Sequence, residues 1–375
     1  MGKKTFAALA AAAMIICVCR LSGYIKPCFA ESGRITIVGK HGVYEYGECK
    51  KQSAGFYGAE LNVDDIVEEV ALKEYVAPKD AYVRFFPNAK NKFVATEGSD
   101  GENIDKVKLK DDILTALSVG GGAIKPAYNL VKRRFYKKDL DLDIKKRGEF
   151  STSFESSIPE RASNIARAAA KLNGVIVAAG EEFSFNDTVG KRSEENGYKN
   201  AKIIVDGEFV EGVGGGVCQV STTLYNAALL SGLKISEYHP HTLSVSYVEN
   251  SFDAMVNYGT CDLKFVNDTP SPVYIRTIVD GRTLKVVFYG KKQKYVYERK
   301  SVVNEIVKMP VEEIFDPALD ENEYVIRSAG KDGVKSDGYL IKKVDGKVVS
   351  ETLIRSDYYK PVTEVIERGT AKNDL

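Results

Sequence analysis

The residues best suited to chemistry in this chain are grouped around Cys218. Three glycines, Gly214, Gly215 and Gly216, stand two to four residues before it. Glycine adopts positive φ angles readily and lets a ligand approach the backbone closely. Apolar residues then recur at three- and four-residue spacing as far as Gly232, which predicts a helix. The sequence therefore predicts Cys218 at a helix N-terminus, where the helix dipole lowers the pKa of a thiol.

The same turn offers a second contribution to acyl transfer. Unpaired N–H groups at a helix N-terminus can bind the oxyanion that forms when a carbonyl is attacked. Gln219, Ser221 and Thr222 follow the cysteine and, together with the three glycines, are candidates for substrate binding. The alternative is a tight glycine turn that leads into a buried, inert cysteine.

A nucleophilic cysteine needs a base, and two of the three histidines lie just beyond the predicted helix. Residues 237–247 resemble a strand in which His241 shares one face with Tyr247, and Tyr247 is a further candidate for substrate binding. His241 is favoured over His239 because it lies within the alternating run. A histidine that is merely packed or exposed is the alternative for both.

Charged residues supply the remaining candidates. Asp253 is the first choice for a carboxylate that orients the base, and Asp262 is the second. Arg192, with Lys191 beside it, could bind an anionic group of a substrate, although such a pair is more often solvated surface.

Cofactor chemistry is not indicated by these residues. No lysine followed by serine or threonine comes after the glycines, so nucleotide binding is not supported. The chain offers no convincing set of four zinc ligands, and a catalytic zinc held by Cys218, His239 and His241 is a weaker alternative. We therefore expect neither a metal nor another cofactor.

Several elements must position the cluster. Residues 159–173 predict a helix whose arginines and Asn164 face outward. Hairpins are expected over residues 203–210 and over residues 273–289, where Asp-Gly provides the turn.

The chain as a whole is predicted to be α+β and multidomain. Residues 1–30 contain an apolar run after two lysines that is typical of a signal peptide, with a retained membrane anchor as the alternative. A small α+β domain is expected over residues 31–148 and a central α+β domain over residues 149–292. A β-rich module is expected over residues 303–372, and binding or spacing is its expected role because it contains no Cys or His.

Composition narrows the function classes. The chain has 53 Lys and Arg against 52 Asp and Glu, a balance that argues against a nucleic-acid binder. Cleavage after Ala30 would leave Cys49, Cys218 and Cys261, so at least one thiol has no partner within the chain. Cys49 and Cys261 could form a disulfide, which leaves Cys218 as the nucleophile.

The motifs of residues 149–290 resemble the VanW family. The motifs that carry the resemblance are Glu182–Asn186, Val189–Arg192, Gly214–Asn226, His239–His241, Ser246–Val248 and Asp253-Ala254. The region before them is similar to a peptidoglycan-binding domain found upstream of VanW domains. The end of the chain is similar to the G5 module of wall-associated proteins.

The resemblance implies a function in the cell wall. It implies an extracytoplasmic L,D-transpeptidase in which Cys218 forms a thioester with a peptidoglycan stem peptide and a second stem resolves it. Contact with the membrane would come only through an N-terminal anchor. The alternatives are a noncatalytic wall-binding protein and a thiol peptidase or amidase of stem peptides.

Overall fold

A computed structural model describes residues 34–47, 62–205 and 208–371. The predicted signal peptide or anchor and Cys49 lie outside the described residues, so the proposed disulfide stays a prediction. Among the described residues, no helix is both long enough and apolar enough to span a membrane.

The described residues form an α+β structure, in agreement with the predicted fold class. The helices are α1 (Val63–Glu74), α2 (Lys106–Ser118), α3 (Pro159–Leu172), α4 (Phe185–Val189) and α5 (Val217–Leu230), with a 3-10 turn at Lys137–Asp139. The strands are β1 (Arg34–Val38), β2 (Val43–Tyr46), β3 (Tyr82–Phe85), β4 (Phe93–Thr96), β5 (Gly101–Ile104), β6 (Gly121–Ile124), β7 (Tyr128–Val131), β8 (Ile144–Ser153), β9 (Ile176–Val177), β10 (Glu182–Ser184), β11 (Asn200–Val205), β12 (Glu208–Val213), β13 (Lys234–Glu237), β14 (Lys264–Val266), β15 (Val273–Asp280), β16 (Thr283–Lys291), β17 (Val296–Val307), β18 (Val311–Asp320), β19 (Tyr324–Ser328), β20 (Gly333–Val344), β21 (Lys347–Tyr359) and β22 (Glu364–Ala371).

The chain divides into two compact units. The first holds the described residues up to Ala81 together with Glu97–Lys138, and the second holds Tyr82–Thr96 and the chain from Asp139 onward. The predicted N-terminal domain therefore differs from the first unit, since the hairpin β3–β4 belongs to the second. The other domain boundaries stay predictions.

The first unit is small and has one apolar core. Its sheet has the order β2-β1-β6, and β5 pairs with β7. Helices α1 and α2 pack on it with Val70 and Leu109, which are fully buried between the helices and β1. Val70 recurs at helical spacing from Ile66 and Val67, so the buried stripe of α1 follows from the sequence pattern.

Helix α5 lies at the centre of the second unit. Twelve of its fourteen residues are buried, which is typical of a helix surrounded by protein on all sides. A four-stranded antiparallel sheet of order β8-β16-β15-β9 lies against it, and α3 packs on both the sheet and α5. The predicted helix over residues 159–173 and the predicted 273–289 hairpin, observed as β15–β16, are confirmed.

Three smaller groups of strands surround this core. The sheet β10-β14-β13 packs through stacked Phe183 and Phe265, and β11 pairs with β12 as the predicted hairpin. The hairpin β3–β4 belongs to this unit because Phe93 lies edge-on to Tyr274 and Tyr289 of the large sheet. Aromatic contacts of this kind contribute to packing beyond the area that they bury.

The C-terminal part is rich in strands, as predicted. It consists of two three-stranded sheets, with the orders β17-β20-β21 and β18-β22-β19. Strands β20 and β21 are joined at Asp345-Gly346, where both residues have positive φ angles. That geometry is typical of a two-residue hairpin turn.

Candidate active site

Cys218 is the second residue of helix α5, so its predicted place at a helix N-terminus is confirmed. The preceding residues Gly214 and Gly216 have φ angles of +91° and +101°. A Cβ atom on Gly215 would lie 2.7 Å from the carbonyl oxygen of Lys202, and one on Gly216 would lie 2.9 Å from a carbon of Arg161. All three glycines are therefore required by backbone conformation or by close packing.

Asn164 of helix α3 fixes this turn. Its amide nitrogen donates to the carbonyl oxygens of Gly215 and Lys199 at 3.0 and 2.9 Å, and its Oδ1 accepts from the Lys199 N–H at 2.8 Å. The residue is fully buried, so the prediction that Asn164 faces outward is wrong. The reason is that the glycine turn leaves backbone groups inside the protein that need hydrogen-bond partners.

His241 is the histidine next to the thiol. Its ring interacts electrostatically with the Cys218 thiol, and its Nδ1 lies 2.7 Å from Oδ2 of Asp253. The backbone N–H of His241 donates to the same carboxylate oxygen, also at 2.7 Å. Because a carboxylate accepts from Nδ1–H, Nε2 is the nitrogen left to face the sulfur.

Residues 237–247 do not form the expected strand. Strand β13 ends at Glu237, and His241 lies in an irregular loop. Pro240 has no N–H to donate, and the His241 N–H is bound by a side chain instead of a neighbouring strand. Helix α5 also stabilises this loop, since Ser221 donates to the carbonyl oxygen of Ala254 at 2.6 Å.

The other candidates for the base and its partner lie elsewhere. His239 places Nε2 3.0 Å from Oε1 of Glu237. Asp262 accepts from the hydroxyl of Ser184 and from the N–H of Asn186 at 2.5 and 2.9 Å. Within the described ranges, no three His, Cys, Asp or Glu side chains are grouped as metal ligands.

The charges of Cys218 and His241 are coupled. Burial on its own would raise the pKa of the Cys218 thiol, but a hydrogen bond from His241 and the charge of that ring outweigh it, so this pKa lies below its usual value. Burial lowers the pKa of His241, but hydrogen bonds to Asp253 and Cys218 raise it to about 9. Both shifts favour the charged forms, a thiolate on Cys218 and an imidazolium on His241.

Cys218 and His241 line an open cavity of about 890 Å³. Arg192 and Tyr247, both candidates from the sequence, also line it, together with the three glycines and Gln219. Burial and the nearby charges of Cys218 and Asp253 raise the pKa of Tyr247 well above its usual value, so its phenol keeps its proton.

The cavity is strongly basic. Its charged lining side chains, apart from His241, are Arg161, Lys191, Arg192, Lys202, Lys331 and a single acid, Glu211. Arg192 donates through Nη1 to Asn186 at 2.6 Å, while its Nε and Nη2 have no hydrogen-bond partner among the described residues. A buried guanidinium with two unused donors suits a carboxylate ligand.

Three residues predicted to bind substrate make contacts that support the fold, and of these Gln219 also lines the cavity. Gln219 donates through Nε2 to Thr152 and to the carbonyl oxygen of Ser153 at 3.0 and 2.8 Å. Ser221 and Thr222 are fully buried, and the Thr222 hydroxyl accepts from the Ala254 N–H at 2.9 Å. Their hydroxyls satisfy the backbone of the loop and do not line the cavity.

Sequence reasoning missed two groups of residues at the site. The sequence predicts that Arg161 of helix α3 faces solvent, but this residue, one turn before Asn164, lines the cavity beside the glycine turn. Arg355 and Tyr359 of β21 both contact the carboxylate of Asp253. Nothing in the local sequence indicates these contacts, which join residues more than 100 positions apart.

Two protein-family models match the chain. The model described as VanW like protein covers residues 160–289, and the G5 domain model covers residues 298–371. The chain contains a VanW-like domain and a G5 domain. Cys218, His241 and Asp253 lie in the VanW-like domain, whereas Arg355 and Tyr359 lie in the G5 domain.

Two bacterial relatives match the VanW-like region. The uncharacterized protein YoaR of Bacillus subtilis (strain 168) is 43% identical over 143 residues, which are 38% of this chain and 47% of YoaR. The vancomycin B-type resistance protein VanW of Enterococcus faecalis (strain ATCC 700802 / V583) is 30% identical over 155 residues, which are 40% of this chain and 56% of that protein. The chain thus spans about half the length of these relatives.

Among solved structures, the IgA1 protease G5 domain matches 21% of this chain and 92% of its own length at 23% identity. The TM-score of this match is 0.17. The VanW-like and G5 domains together suggest a cell-wall-associated protein. The similarity of the first region to a peptidoglycan-binding domain stays a prediction.

Proposed function

We propose that this chain is a cysteine-dependent acyltransferase of the cell wall, an L,D-transpeptidase that cross-links the third residues of two peptidoglycan stems. The observation that carries the proposal is that Cys218, His241 and Asp253 stand in a row at an open cavity, with His241 hydrogen-bonded to Asp253 and electrostatically coupled to the Cys218 thiol. The row contains a nucleophile, its base and a carboxylate that orients the base, which are the parts that acyl transfer requires.

The first step forms the acyl-enzyme. The Cys218 thiolate adds to the carbonyl carbon of the amide that joins the third stem residue to D-Ala. The C–N bond then breaks, and the His241 imidazolium gives its Nε2 proton to the departing amine. Free D-Ala leaves, and the stem remains attached to Cys218 as a thioester.

The oxyanion of this step needs a donor near the sulfur. Two amides of the turn are already used, since the N–H groups of Val217 and Gln219 donate to Gly214 and Gly216 at 3.1 and 3.0 Å. We assign the role to the backbone N–H of Cys218 itself, which lies in the first turn of α5, where the helix dipole favours negative charge.

The second step transfers the stem. The side-chain amine of a third-position residue in another stem attacks the thioester carbonyl, and neutral His241 accepts the proton that the amine loses. The C–S bond breaks, the thiolate of Cys218 is restored, and an amide between the two stems is formed. If water replaces the amine, the same site acts as a thiol peptidase.

The charge of the cavity supports a donor stem that carries a free carboxylate. The terminal D-Ala of a tetrapeptide stem has such a group next to the amide that would be cleaved. Arg192 is half-buried, and its charge, after the larger effect of His241, helps to lower the pKa of Cys218. We assign Arg192 as the group that binds this carboxylate, with Arg161 nearby in the same cavity.

The test uses purified protein and disaccharide-tetrapeptides, with the products analysed by mass spectrometry. We expect cross-linked dimers together with released D-Ala, and we expect neither from the variant Cys218→Ala. Cys261→Ala is the matched control, because Cys261 is the other cysteine of the described residues and lies outside the cavity.

Each other outcome decides against transfer. Shortened stems without dimers would assign the site to a thiol peptidase. Unchanged substrate that still binds to the protein would assign the chain to noncatalytic wall-binding proteins.

A further inference from the structure

The carboxylate of Asp253 is bound from two domains. His241 occupies Oδ2, as described above. Oδ1 accepts from the phenol of Tyr359 at 2.6 Å and from Nη2 of Arg355 at 3.2 Å. Arg355 also donates through Nη1 to the backbone carbonyl oxygen of Asp253 at 2.6 Å. Strand β21 of the G5 domain therefore holds both the side chain and the backbone of this residue.

These contacts are fully inside the protein. The side chains of Arg355 and Asp253 are 0% and 1% exposed, and Tyr359 is 1% exposed. In such an environment an unpaired carboxylate oxygen is costly, so two donors on Oδ1 fix the rotation of the carboxylate. Rotation of this group would also break its bond to Nδ1 of His241.

The two G5 residues are themselves held in place. Nε of Arg355 donates to Asp357 at 2.6 Å, and its guanidinium lies 4.6 Å from the centre of the Tyr238 ring. The phenol of Tyr359 accepts from the backbone N–H of Ser251 at 2.7 Å. Arg355 and Tyr359 are thus each fixed by at least one further contact besides their hydrogen bonds to Asp253.

Close packing accompanies this network. The hydroxyl of Ser251 lies 2.7 Å from that of Ser336 on strand β20. A Cβ atom on Gly338 of the same strand would lie 2.7 Å from the Ser251 carbonyl oxygen. Ser251 has a φ angle of +63°, an uncommon conformation for a residue other than glycine. The loop that carries Asp253 therefore packs closely against strand β20 of the G5 domain.

We propose that Arg355 and Tyr359 are positioning residues, through which the G5 domain orients Asp253 and so directs Nε2 of His241 at Cys218. This inference rests on the proposed function of the site. It gives the G5 domain a part in the active site in addition to any binding or spacing role. The VanW-like domain alone would then hold an incompletely oriented histidine.

The test measures the reactivity of the thiol and not only cross-linking. The full chain is treated with iodoacetamide over a range of pH, and the rate of alkylation of Cys218 is followed by mass spectrometry. The variant Tyr359→Phe removes one hydroxyl and keeps the ring. Tyr358→Phe is the matched control, since Tyr358 is the next residue of the same strand and is 48% exposed.

We expect Tyr359→Phe to raise the pH midpoint of Cys218 alkylation by about one unit, because one hydrogen bond to a charged group has roughly that effect. We expect the cross-linking kcat to fall about tenfold with little change in KM. The other charged or titratable side chains that interact with Cys218, His241 or Asp253 are Arg161, Arg192, Tyr225, Tyr247, Arg355 and Tyr359. Over the range of the experiment these arginines stay charged and these tyrosines stay protonated.

A second variant keeps the test open if the first is unstable. Arg355→Lys retains the charge but cannot bind the carbonyl and the carboxylate of Asp253 at the same time. We expect a midpoint shift in the same direction as for Tyr359→Phe. A lower melting temperature with an unchanged midpoint in both variants would overturn the proposal, because it shows that the contacts are structural only.

The outcome separates this inference from the proposed function. If the wild-type chain makes no cross-links but Tyr359→Phe moves the alkylation midpoint, the positioning role stands and the transpeptidase assignment is wrong. If cross-links form at equal rates and equal midpoints in wild type and both variants, the positioning role is wrong and the transpeptidase assignment stands.

Discussion

The two units of the molecule each contain a buried carboxylate with four or more hydrogen bonds, and the two carboxylates serve different ends. Glu74 of the first unit accepts from the phenols of Tyr44 and Tyr128 at 2.7 and 2.6 Å, and from the N–H groups of Lys40 and His41. These partners are phenols and backbone N–H groups of the first unit, and none of them is a nucleophile or a base.

The carboxylate of Asp253 in the second unit also accepts four hydrogen bonds, but one of its partners is an imidazole that interacts with a thiol. A cavity opens beside that thiol. The difference shows that a buried acid indicates function only when its hydrogen bonds lead to a group that can meet a substrate.

The sharpest test of the comparison replaces each acid by its amide. Asp253→Asn should lower the cross-linking kcat about a thousandfold, because an amide no longer holds the imidazole in the tautomer that faces Cys218. Steady-state kinetics on disaccharide-tetrapeptides measures the effect. Retention of more than a tenth of the wild-type kcat would contradict the orienting role.

The second-largest effect is expected in the pH dependence of kcat/KM. The imidazolium of His241 donates the proton to the leaving amine, and its pKa is raised to about 9. We therefore expect kcat/KM to fall about tenfold per pH unit above pH ~9. On the acid side the rate should fall only below the lowered pKa of Cys218. An alkaline limb near the ordinary histidine pKa would show that Asp253 does not hold the ring as described.

Arg192 tests whether the cavity binds a carboxylate. Arg192→Gln should raise KM for the tetrapeptide about tenfold and change kcat less than threefold, because a charge-assisted hydrogen bond contributes about 1.5–3 kcal/mol. The neighbouring exposed Lys191 provides the control Lys191→Gln, for which less than a twofold change is expected. Equal effects of the two variants would show that Arg192 contributes only its positive charge and does not bind the carboxylate directly.

Glu74→Gln completes the comparison with the smallest effect on activity. We expect an unchanged kcat but a loss of about 1–3 kcal/mol in the free energy of unfolding, since the phenols and N–H groups that donate to Glu74 lose a charged acceptor. Burial raises the pKa of Glu74, but bonds from Tyr128 and Tyr44 outweigh it, so the pKa lies below the usual 4.5.

The sign of the pH effect follows from that shift. A carboxyl whose pKa is lowered in the folded state stabilises the protein above its unfolded pKa, and this contribution is lost as the pH falls through the folded pKa. The free energy of unfolding of the wild type, measured with urea, should therefore decrease below about pH 4.5. The decrease should be smaller in Glu74→Gln. A reduced kcat in this variant would contradict the structural role.

Local patterns in the sequence predict much of this molecule. Helix α5 and the position of Cys218 follow from apolar periodicity and the glycine triplet, and the β15–β16 hairpin follows from its Asp-Gly turn. These features depend on residues close in sequence. Sequence reasoning also selected His241 and Asp253 as partners, although it placed the histidine on a strand that does not exist.

The remainder depends on contacts that have no local signature. Backbone groups of the loop that carries Asp253 are satisfied by polar side chains buried in α5, for example Asn226, which donates to the carbonyl oxygen of Phe252 at 2.7 Å. In the sequence, the polar residues of α5 look like substrate ligands. Their partners become clear only when helix and loop are seen together.

The spacing of Arg355 and Tyr359 limits how this protein could be recombined. On β21 both residues lie on one side of the strand, four positions apart, and the exposed residues Ser356 and Tyr358 alternate with them. A chimera that exchanged the G5 domain for a different module would thus need a guanidinium and a phenol on the same sheet face at the same separation. Modules that lack this pair could be joined to the chain, but Asp253 and His241 would then no longer be held in a fixed orientation.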